Sequence, residues 1–209
     1  MTDIKAQVAQ DLLDIGAVKF SPQKPFTWAS GIQSPIYTDN RLTIGFPTIR
    51  QRLARGLTEL IAEKFDQVDI IGGVATAGIP HAAWVADLLE KPMVYVRSKP
   101  KDHGAGRQSE GAAIEGKRLV LIDDLISTGG SVLAAAKAVN ASGGQVVGVV
   151  SIFSYELPAS QVNFEAAQIP FYPLTTFSEL MAMAQKSGQL SESDLTSLAQ
   201  WRQNPQAWQ

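Results

Sequence analysis

The sequence predicts an α/β fold in which helices flank a mostly parallel sheet. The main observation is a series of short apolar runs, at residues 68–74, 93–96, 119–122 and 146–153. Uninterrupted apolar runs are typical of strands that are buried on both faces of a parallel sheet. Helical or glycine-rich segments separate the runs, and this alternation indicates parallel strands joined by helices. The composition agrees, because 45% of the 209 residues are hydrophobic and 18% are charged, as in globular proteins with a sizeable core.

Helical periodicity predicts the elements that flank this sheet. In the first segment Ile4, Val8 and Leu12 recur at helical spacing, and Gly16 is expected to end the helix. Proline is favoured in the first helical turn, so a second helix is expected to begin at Pro47. Further helices are expected at residues 129–141, 178–187 and 191–202.

The N-terminal part of the chain has a different pattern. Residues 20–41 mix aromatic residues with prolines and glycines, which is typical of short strands and turns. We therefore interpret residues 1–45 as a hood over the sheet, and we expect one domain, 1–209, because no repeat or composition shift marks a second one. The hood residues expected to pack against one another are Phe26, Trp28, Ile36 and Tyr37.

Composition excludes several classes of function. The net charge is −2, from 18 basic and 20 acidic residues, so the chain lacks the basic excess typical of nucleic-acid binding. Cysteine is absent, which excludes disulfides, thiolate zinc sites and a cysteine nucleophile. No apolar run approaches the roughly 20 residues of a membrane span, and residues 1–10 lack a signal-peptide core. We therefore expect a soluble, cytoplasmic protein with neither a membrane nor a nucleic acid as partner.

The strongest functional motif lies at residues 119–131, which read LVLIDDLISTGGS. An apolar strand is expected to end at Asp123 and Asp124, and a Ser-Thr-Gly-Gly turn and a helix follow. Ligands of parallel sheets bind at the carboxyl ends of strands, where these acids stand. Backbone N–H groups and hydroxyls at a helix N-terminus suit a phosphate, and carboxylates accept hydrogen bonds from sugar hydroxyls. The motif therefore predicts a ribose-phosphate site rather than a plain capped turn.

A second glycine-containing turn follows another apolar run. Gly72 and Gly73 would let the backbone approach a ligand closely, and Thr76 and Ala77 could donate N–H groups to a diphosphate. The same glycines would serve a tight strand-to-helix turn equally well, so the residues alone leave both interpretations open. His81 is interpreted as a helix-start or packing residue, since the two histidines of the chain have no metal-binding spacing.

Residues 99–116 contain little apolar material and lie between two predicted strands. A long loop inside a compact domain is commonly a lid, a binding loop or disordered, so we expect a flexible loop here. Clustered cations would suit a departing diphosphate, although a solvated loop remains an equal alternative from the residues alone. The cationic or protonatable residues of this stretch are Arg97, Lys99, Lys101, His103 and Arg107.

These motifs resemble those of the type I phosphoribosyltransferases. Residues 123–131 match the motif that marks the family as a whole, whereas FTWASGIQSPIY at 26–37 and the Lys-Asp-His-Gly loop at 101–104 are similar to the bacterial members that act on orotate. The similarity extends over essentially the full chain. It implies a parallel sheet flanked by helices, a small N-terminal hood and a long flexible catalytic loop. The implied reaction transfers phosphoribosyl from 5-phosphoribosyl 1-diphosphate (PRPP) to orotate, giving orotidine 5′-monophosphate and diphosphate in pyrimidine (UMP) synthesis.

The resemblance also implies a role for individual residues. Lys101, His103, Asp123 and Asp124 are the expected catalytic residues, and Mg²⁺ is the expected cofactor, held mainly through PRPP and water. A homodimer is expected in which the loop of one subunit reaches its neighbour's site. The expected PRPP-binding residues are Thr76, Ala77, Arg97, Lys101, His103, Asp123, Asp124, Leu125, Ile126, Ser127, Thr128, Gly129, Gly130 and Ser131.

Two positions depart from many relatives of this family. Ala29 stands where those relatives have lysine, and residues 153–158 contain no arginine where those relatives place one against the orotate carboxylate. An unpaired carboxylate in a closed site is costly, so another group must meet it. We predict that Ser127 contacts orotate, assisted by N–H groups around residues 30–36.

Two alternatives remain open at this stage. A phosphoribosyltransferase for purine bases would share residues 123–131 but should lack the Lys-Asp-His-Gly loop. A transcriptional regulator with the same fold would sense PRPP without catalysis and should carry a basic DNA-binding region. Against the regulator, the basic residues of the segment 1–45 are only Lys5, Lys19, Lys24 and Arg41.

Overall fold

The computed structural model describes residues 4–28, 31–99 and 108–208. The first elements form the hood region. Helix α1 begins at Ile4, and its Asp11 accepts a 2.5 Å hydrogen bond from Arg52, which ties this helix to α2. The elements are α1 (Ile4–Asp14), β1 (Val18–Phe20), β2 (Phe26–Thr27), β3 (Gln33–Ser34), β4 (Ile36–Thr38), a 3₁₀ helix (Asn40–Gly45) and α2 (Pro47–Lys64).

The hood contains the predicted short strands. Strand β1 pairs with β4 and β2 pairs with β3, both antiparallel. Ile36 is fully buried as expected, whereas Tyr37 is 39% exposed and packs its ring at a tilted angle against Phe26, with centroids 5.7 Å apart. The expected contact between hood residues is therefore present for this pair, and Tyr37 stays partly exposed because β4 alternates its side chains between core and solvent.

The rest of the chain alternates strands and helices, as predicted. The strands are β5 (Ile70–Val74), β6 (Met93–Val96), β7 (Ser109–Gly111), β8 (Arg118–Ile126), β9 (Gln145–Ser154) and β10 (Phe171–Thr176). The helices are α3 (Gly78–Leu88), α4 (Gly130–Ala141), α5 (Pro158–Ala167), α6 (Phe177–Lys186) and α7 (Glu192–Gln203). No helix in the described part of the chain is long and apolar enough to cross a membrane.

One six-stranded sheet organises these elements, in the order β10-β9-β8-β5-β6-β7. Its neighbouring strands are parallel except β7, which runs antiparallel to β6. Along β8, Val120 and Ile122 pack into one hydrophobic core, and Leu119 and Leu121 pack into another on the opposite face. The run at 119–122 is uniformly apolar because both faces are covered there, so the predicted α/β class is confirmed.

The structure differs from the sequence-based expectation in the extent of one strand and in elements that were missed. Strand β8 continues through Asp123 and Asp124 to Ile126 because β9 also extends, pairing Ile126 with Ser154. Residues 109–111, expected within a loop, form the edge strand β7. Helix α5 and strand β10 were not predicted at all, since the helix exposes Val162 and the strand contains Pro173.

The two edges of the sheet are both unusual strands. Strand β7 has only three residues, and it pairs with β6 alone. Strand β10 pairs with β9 alone and carries Pro173, which has no N–H to donate. Helix α1 covers part of this second edge, where Thr175 Oγ1 donates to the carbonyl of Lys5.

Candidate active site

Asp123 and Asp124 lie where β8 extends past its neighbour β5. The pairing between these two strands ends at Gly73 and Ile122, whereas β8 stays paired with β9 through Ile126. The acids therefore have one side of the strand open. The amide of Asp124 donates a 2.9 Å hydrogen bond to Asp123 Oδ1, which fixes the first carboxyl group beside the second.

The environment of the paired acids disfavours negative charge. Burial raises the pKa of Asp123 to about 8, and the adjacent Asp124 carboxylate adds to the rise. Burial also raises the pKa of Asp124, although a hydrogen bond from Asp123 and the nearby Arg41 charge oppose the rise. Carboxyl groups with raised pKa values beside an open side of a strand are candidates for a functional site. The matching ligand would bring positive charge or hydroxyl donors to them.

The turn after β8 has the geometry of an anion site. Gly129 adopts φ 79°, a left-handed conformation that glycine tolerates, and α4 begins at the next residue. No residue in the described part of the chain accepts a hydrogen bond from the amides of Thr128 or Gly129. Free N–H groups at a helix N-terminus attract a phosphate. Thr128, Gly130 and Ser131 are exposed, so a ligand can reach them.

Helix α5, which the sequence did not predict, holds this turn. Asn163 Nδ2 donates a 2.9 Å hydrogen bond to the carbonyl of Thr128. The Phe164 ring lies directly under Gly129, where an added Cβ would stand 2.7 Å from Cε2. Glycine is therefore required at this position by both backbone conformation and space. An asparagine ten residues after the apolar run at 146–153 was the only local signal, and it is a weak one.

The second glycine-containing turn lies against the same acids. An added Cβ on Gly78, the first residue of α3, would stand 3.2 Å from the Cα of Asp123. This close approach brings residues 75–77 next to the open side of β8. Thr76 is exposed and Ala77 half-buried, so both predicted diphosphate contacts are accessible. The Ala75–Thr76 peptide bond is cis.

Arg97 follows β6 at the same edge of the sheet. Its amide donates to the carbonyl of Gln108, and Gln108 Nε2 donates back to the Arg97 carbonyl at 3.0 Å. These two bonds fix the backbone of Arg97 relative to Gln108. Its Nη1 atom is buried and has no hydrogen-bond partner among the described residues. A buried cationic donor without a partner is costly, which favours an anionic ligand at this point.

Other predicted residues have different outcomes. Lys101 and His103 lie outside the described residues, as do Ala29 and Ser30. His81 is fully buried in α3 against Trp84, and burial lowers its pKa to about 4. The interpretation of His81 as a packing residue is therefore confirmed.

The hood contributes residues that the sequence did not single out. Asn40 is buried, and its Nδ2 donates a 2.6 Å hydrogen bond to the carbonyl of Asp124. Arg41 binds Asp39 with two nitrogens, at 2.6 and 2.9 Å. This bond holds the pKa of Asp39 below its usual range. The Asp-Asn-Arg run is visible in the sequence, but nothing local shows that it contacts β8, which is more than 80 residues away.

A wide groove lies elsewhere on the molecule. It has a volume of about 960 Å³ and runs along β10 between α2 and α5. None of residues 123–131 or 75–77 lines it. We therefore locate the candidate site by its chemistry, which places paired acids, a phosphate turn and a second anion turn at one edge of the sheet.

A site of this composition is typical of enzymes whose substrate is a phosphorylated sugar that carries a diphosphate leaving group. The family model of the phosphoribosyl transferase domain matches residues 48–164, and the chain belongs to this family. Within it, the chain belongs to the orotate phosphoribosyltransferases, as its relatives show. It is 55% identical over 208 residues to orotate phosphoribosyltransferase of Lactiplantibacillus plantarum, covering 100% of this chain and 98% of the relative.

Two further comparisons agree with this assignment. The chain is 57% identical over 202 residues to orotate phosphoribosyltransferase of Levilactobacillus brevis, covering 97% of this chain and 96% of the relative. Among solved structures, orotate phosphoribosyltransferase of Mycobacterium tuberculosis H37Rv superposes with a TM-score of 0.69 at 26% identity, covering 85% of this chain and 98% of that chain. The predicted family and fold are therefore confirmed.

Proposed function

We propose that this chain transfers the phosphoribosyl group of PRPP to orotate at the carboxyl end of β8. The observation that carries this proposal is the contiguity of Asp123 and Asp124 with the turn at 127–131, which has free amides and a left-handed glycine. One continuous segment thus offers acceptors for a sugar diol and donors for a phosphate. Full-length similarity to orotate phosphoribosyltransferases supports orotate as the acceptor.

In this proposal the phosphoribosyl group lies along the end of β8. The amides and hydroxyls of Thr128, Gly129, Gly130 and Ser131 hold the 5-phosphate. Asp123 and Asp124 accept hydrogen bonds from the ribose hydroxyls, and in their ionised form they stabilise the positive character that develops at the anomeric carbon. The intervening Leu125, Ile126 and Ser127 complete the PRPP contact.

The leaving diphosphate lies on the opposite side of the acids. The amides of Thr76 and Ala77 are its donors from the same subunit. Arg97, whose buried Nη1 has no partner among the described residues, belongs with the loop that serves the neighbouring subunit's diphosphate. Lys101 and His103 belong to the same proposal as stabilisers of the departing anion, and they lie outside the described residues. Positioning and electrostatic stabilisation would account for most of the rate enhancement, since no nucleophile is required.

Magnesium is the proposed cofactor. Within the described ranges, no three His, Cys, Asp or Glu side chains lie close enough to hold a metal ion. Asp123 and Asp124 are hard oxygen donors of the kind that Mg²⁺ prefers, and a nearby cation would offset the cost that burial places on their negative charge. The residues therefore fit an ion shared with PRPP and water. When bound, the ion neutralises the diphosphate as it leaves.

Orotate is proposed to lie between Ser127 and the hood. Ser127 directly follows β8 and is half-buried, so a ligand at the end of the strand can reach its hydroxyl. Its hydroxyl can donate to the orotate carboxylate, with N–H groups around residues 30–36 assisting. Residues 153–158 supply no arginine, so neutral donors are left to meet the anion.

We further propose a two-fold homodimer in which each loop at 99–116 serves the neighbouring site. An exposed apolar surface on the 3₁₀ helix, α2 and α3 supports association. Leu88 is 50% exposed and Phe46 is 43% exposed, and Arg50 of α2 stacks 5.3 Å from the Trp84 ring of α3. Large apolar patches on a protein surface commonly mark interfaces. A cytoplasmic location is part of the same proposal.

The test of the proposed function is a side-by-side assay of acceptor bases. We expect orotate absorbance to fall when the chain is mixed with PRPP and Mg²⁺, and we expect no turnover of adenine, hypoxanthine or uracil at comparable rates. Preference for a purine would favour the alternative purine enzyme. Binding of PRPP without turnover of any base would favour the regulator.

A further inference from the structure

Helix α7 contacts the hood far from its own position in the sequence. Trp201 is fully buried, and its Nε1 donates a 2.9 Å hydrogen bond to the carbonyl of Gln33 in β3. The Trp201 ring also lies 5.6 Å from the Trp28 ring, edge to face. Trp28 and Gln33 flank the turn of the β2–β3 hairpin, so one side chain of α7 touches both arms of that hairpin.

The same aromatic cluster reaches the strand that carries the candidate site. The Tyr155 ring lies 5.1 Å from Trp28 and 5.7 Å from Trp201. The amide of Tyr155 donates a 3.0 Å hydrogen bond to the carbonyl of Ile126. Ile126 directly precedes Ser127, the residue proposed to contact orotate. A chain of three contacts therefore connects α7, the hood hairpin and the acceptor side of the site.

A second set of bonds fixes α7 itself. Arg202 Nη1 donates to Glu156 Oε2 at 3.0 Å and to Ser178 Oγ at 2.7 Å. The same Glu156 oxygen accepts from the amide and hydroxyl of Ser178 at the start of α6, at 2.8 and 2.6 Å. Glu156 follows Tyr155 directly, so α7 is bound to the loop after β9 at adjacent positions.

We infer that Trp201 is a positioning residue for the acceptor base. Through its bond to Gln33 and its contacts with Trp28 and Tyr155, it fixes the β2–β3 hairpin relative to the end of β8, where the base is proposed to lie. The inference rests on the proposed function, because it concerns the orotate side of that site. Among the described residues, Trp201 makes its hydrogen bond and ring contacts with the hood, Tyr155 and Phe177, and none with the phosphate turn. Loss of this support should therefore affect orotate and spare PRPP.

The experiment compares Trp201→Phe with Trp208→Phe. The first variant keeps an aromatic ring but removes the donor to Gln33, whereas Trp208 packs on the same core and has no such bond to the hood. We expect Trp201→Phe to raise the KM for orotate roughly three- to tenfold, the range for one lost hydrogen bond, with the KM for PRPP within about twofold of wild type. Trp208→Phe should leave both constants near wild type.

A purely structural role of Trp201 would give a different result. Equal changes in both KM values, a change in kcat alone, or no change would overturn the inference, while wild-type turnover of orotate would keep the proposed function intact. If Trp201→Phe does not fold, as judged by thermal melting, Arg202→Gln is used instead. Arg202 is half-exposed, and its replacement weakens the bond between α7 and Glu156. It should raise the KM for orotate selectively, and an equal effect on both substrates would again overturn the inference.

Discussion

Residues 123–131 come from one strand and the turn after it, whereas the acceptor side combines the hood, the end of β9 and α7. On the phosphoribosyl side, neighbours in the sequence are neighbours in the site, and a left-handed glycine sets the backbone. On the acceptor side, contacts such as Trp201 to Gln33 join residues separated by 168 positions. We therefore expect single substitutions on the phosphoribosyl side to cause large, local losses of activity. Single substitutions on the acceptor side should cause smaller changes in the KM for orotate.

The largest effect is expected from the paired acids. Replacing both Asp123 and Asp124 with Asn removes the charge that stabilises the transition state but preserves side-chain shape. Turnover of orotate should fall by at least about 100-fold, the scale of a lost electrostatic contact in a catalytic site. Near-normal turnover would show that the acids take no part in the mechanism. It would also contradict the expectation that substitutions on the phosphoribosyl side have the larger effects.

A mixing experiment tests whether the loop serves the site of its own subunit or that of the neighbouring subunit. Lys101→Ala and the Asp123→Asn, Asp124→Asn chain should each be inactive alone. If the loop serves the neighbouring site, each heterodimer regains one intact site, and an equal mixture should recover about a quarter of wild-type activity. Demonstrated heterodimers without recovery would place the loop in its own subunit's site.

Gly129 offers a test of the phosphate turn. Gly129→Ala must adopt φ 79° and would press against Phe164, so the turn should shift. We expect the KM for PRPP to rise about tenfold, since backbone strain of this kind costs about 1 kcal/mol or more. Gly143→Ala is the matched control, because Gly143 has φ 87° at the far end of α4. It should lower thermal stability but leave the KM for PRPP unchanged.

Ser127 stands at the boundary between the two sides. Ser127→Ala should raise the KM for orotate several-fold, because a neutral hydrogen bond is worth about 0.5–1.5 kcal/mol. The KM for PRPP should stay nearly constant, measured under the same conditions. Equal losses for both substrates would assign Ser127 to the phosphate turn, and the partner of the orotate carboxylate would then have to be sought in the hood.

The smallest effect concerns stability against pH. Burial raises the pKa of Asp123 to about 8 from the ordinary 3.8, so between these values the folded chain retains a proton that the unfolded chain has lost. Stability therefore falls as pH rises through this window. Asp123→Asn should melt a few degrees higher than wild type, on a scale of about 2–4 °C per kcal/mol, with a margin that grows up to about pH 8. Asp66→Asn, at an exposed site, is the control, and a margin independent of pH would contradict the argument.

The sequence was informative where one segment supplies both structure and chemistry. The apolar run at 119–122, two acids and a glycine turn together predicted the strand, the helix and the ligand side. The extension of β8 to Ile126 could not be predicted, because it depends on how far β9 runs beside it. Likewise, the single buried face of α5 consists mainly of Phe164 and Ser160, which is too little for a periodic signal.

The acceptor side escaped prediction for a related reason. The burial of Trp201 agrees with its place on a predicted helix, but only the tertiary structure shows that its N–H meets the hood. Asn40 is similar, since a short polar residue in a turn gives no sign of its bond to Asp124. Roles that depend on contacts between distant segments leave no local pattern in a single sequence.

The edges of the sheet have a consequence for behaviour at high concentration. An open edge strand can recruit a strand from another molecule, which is how many proteins begin to aggregate. Here one edge is a strand of three residues, and the other carries Pro173 in its middle. Neither edge strand presents a long row of unpaired backbone N–H groups to a strand of another molecule. At high concentration, copies of this chain are therefore directed away from fibrous stacking through their sheet edges.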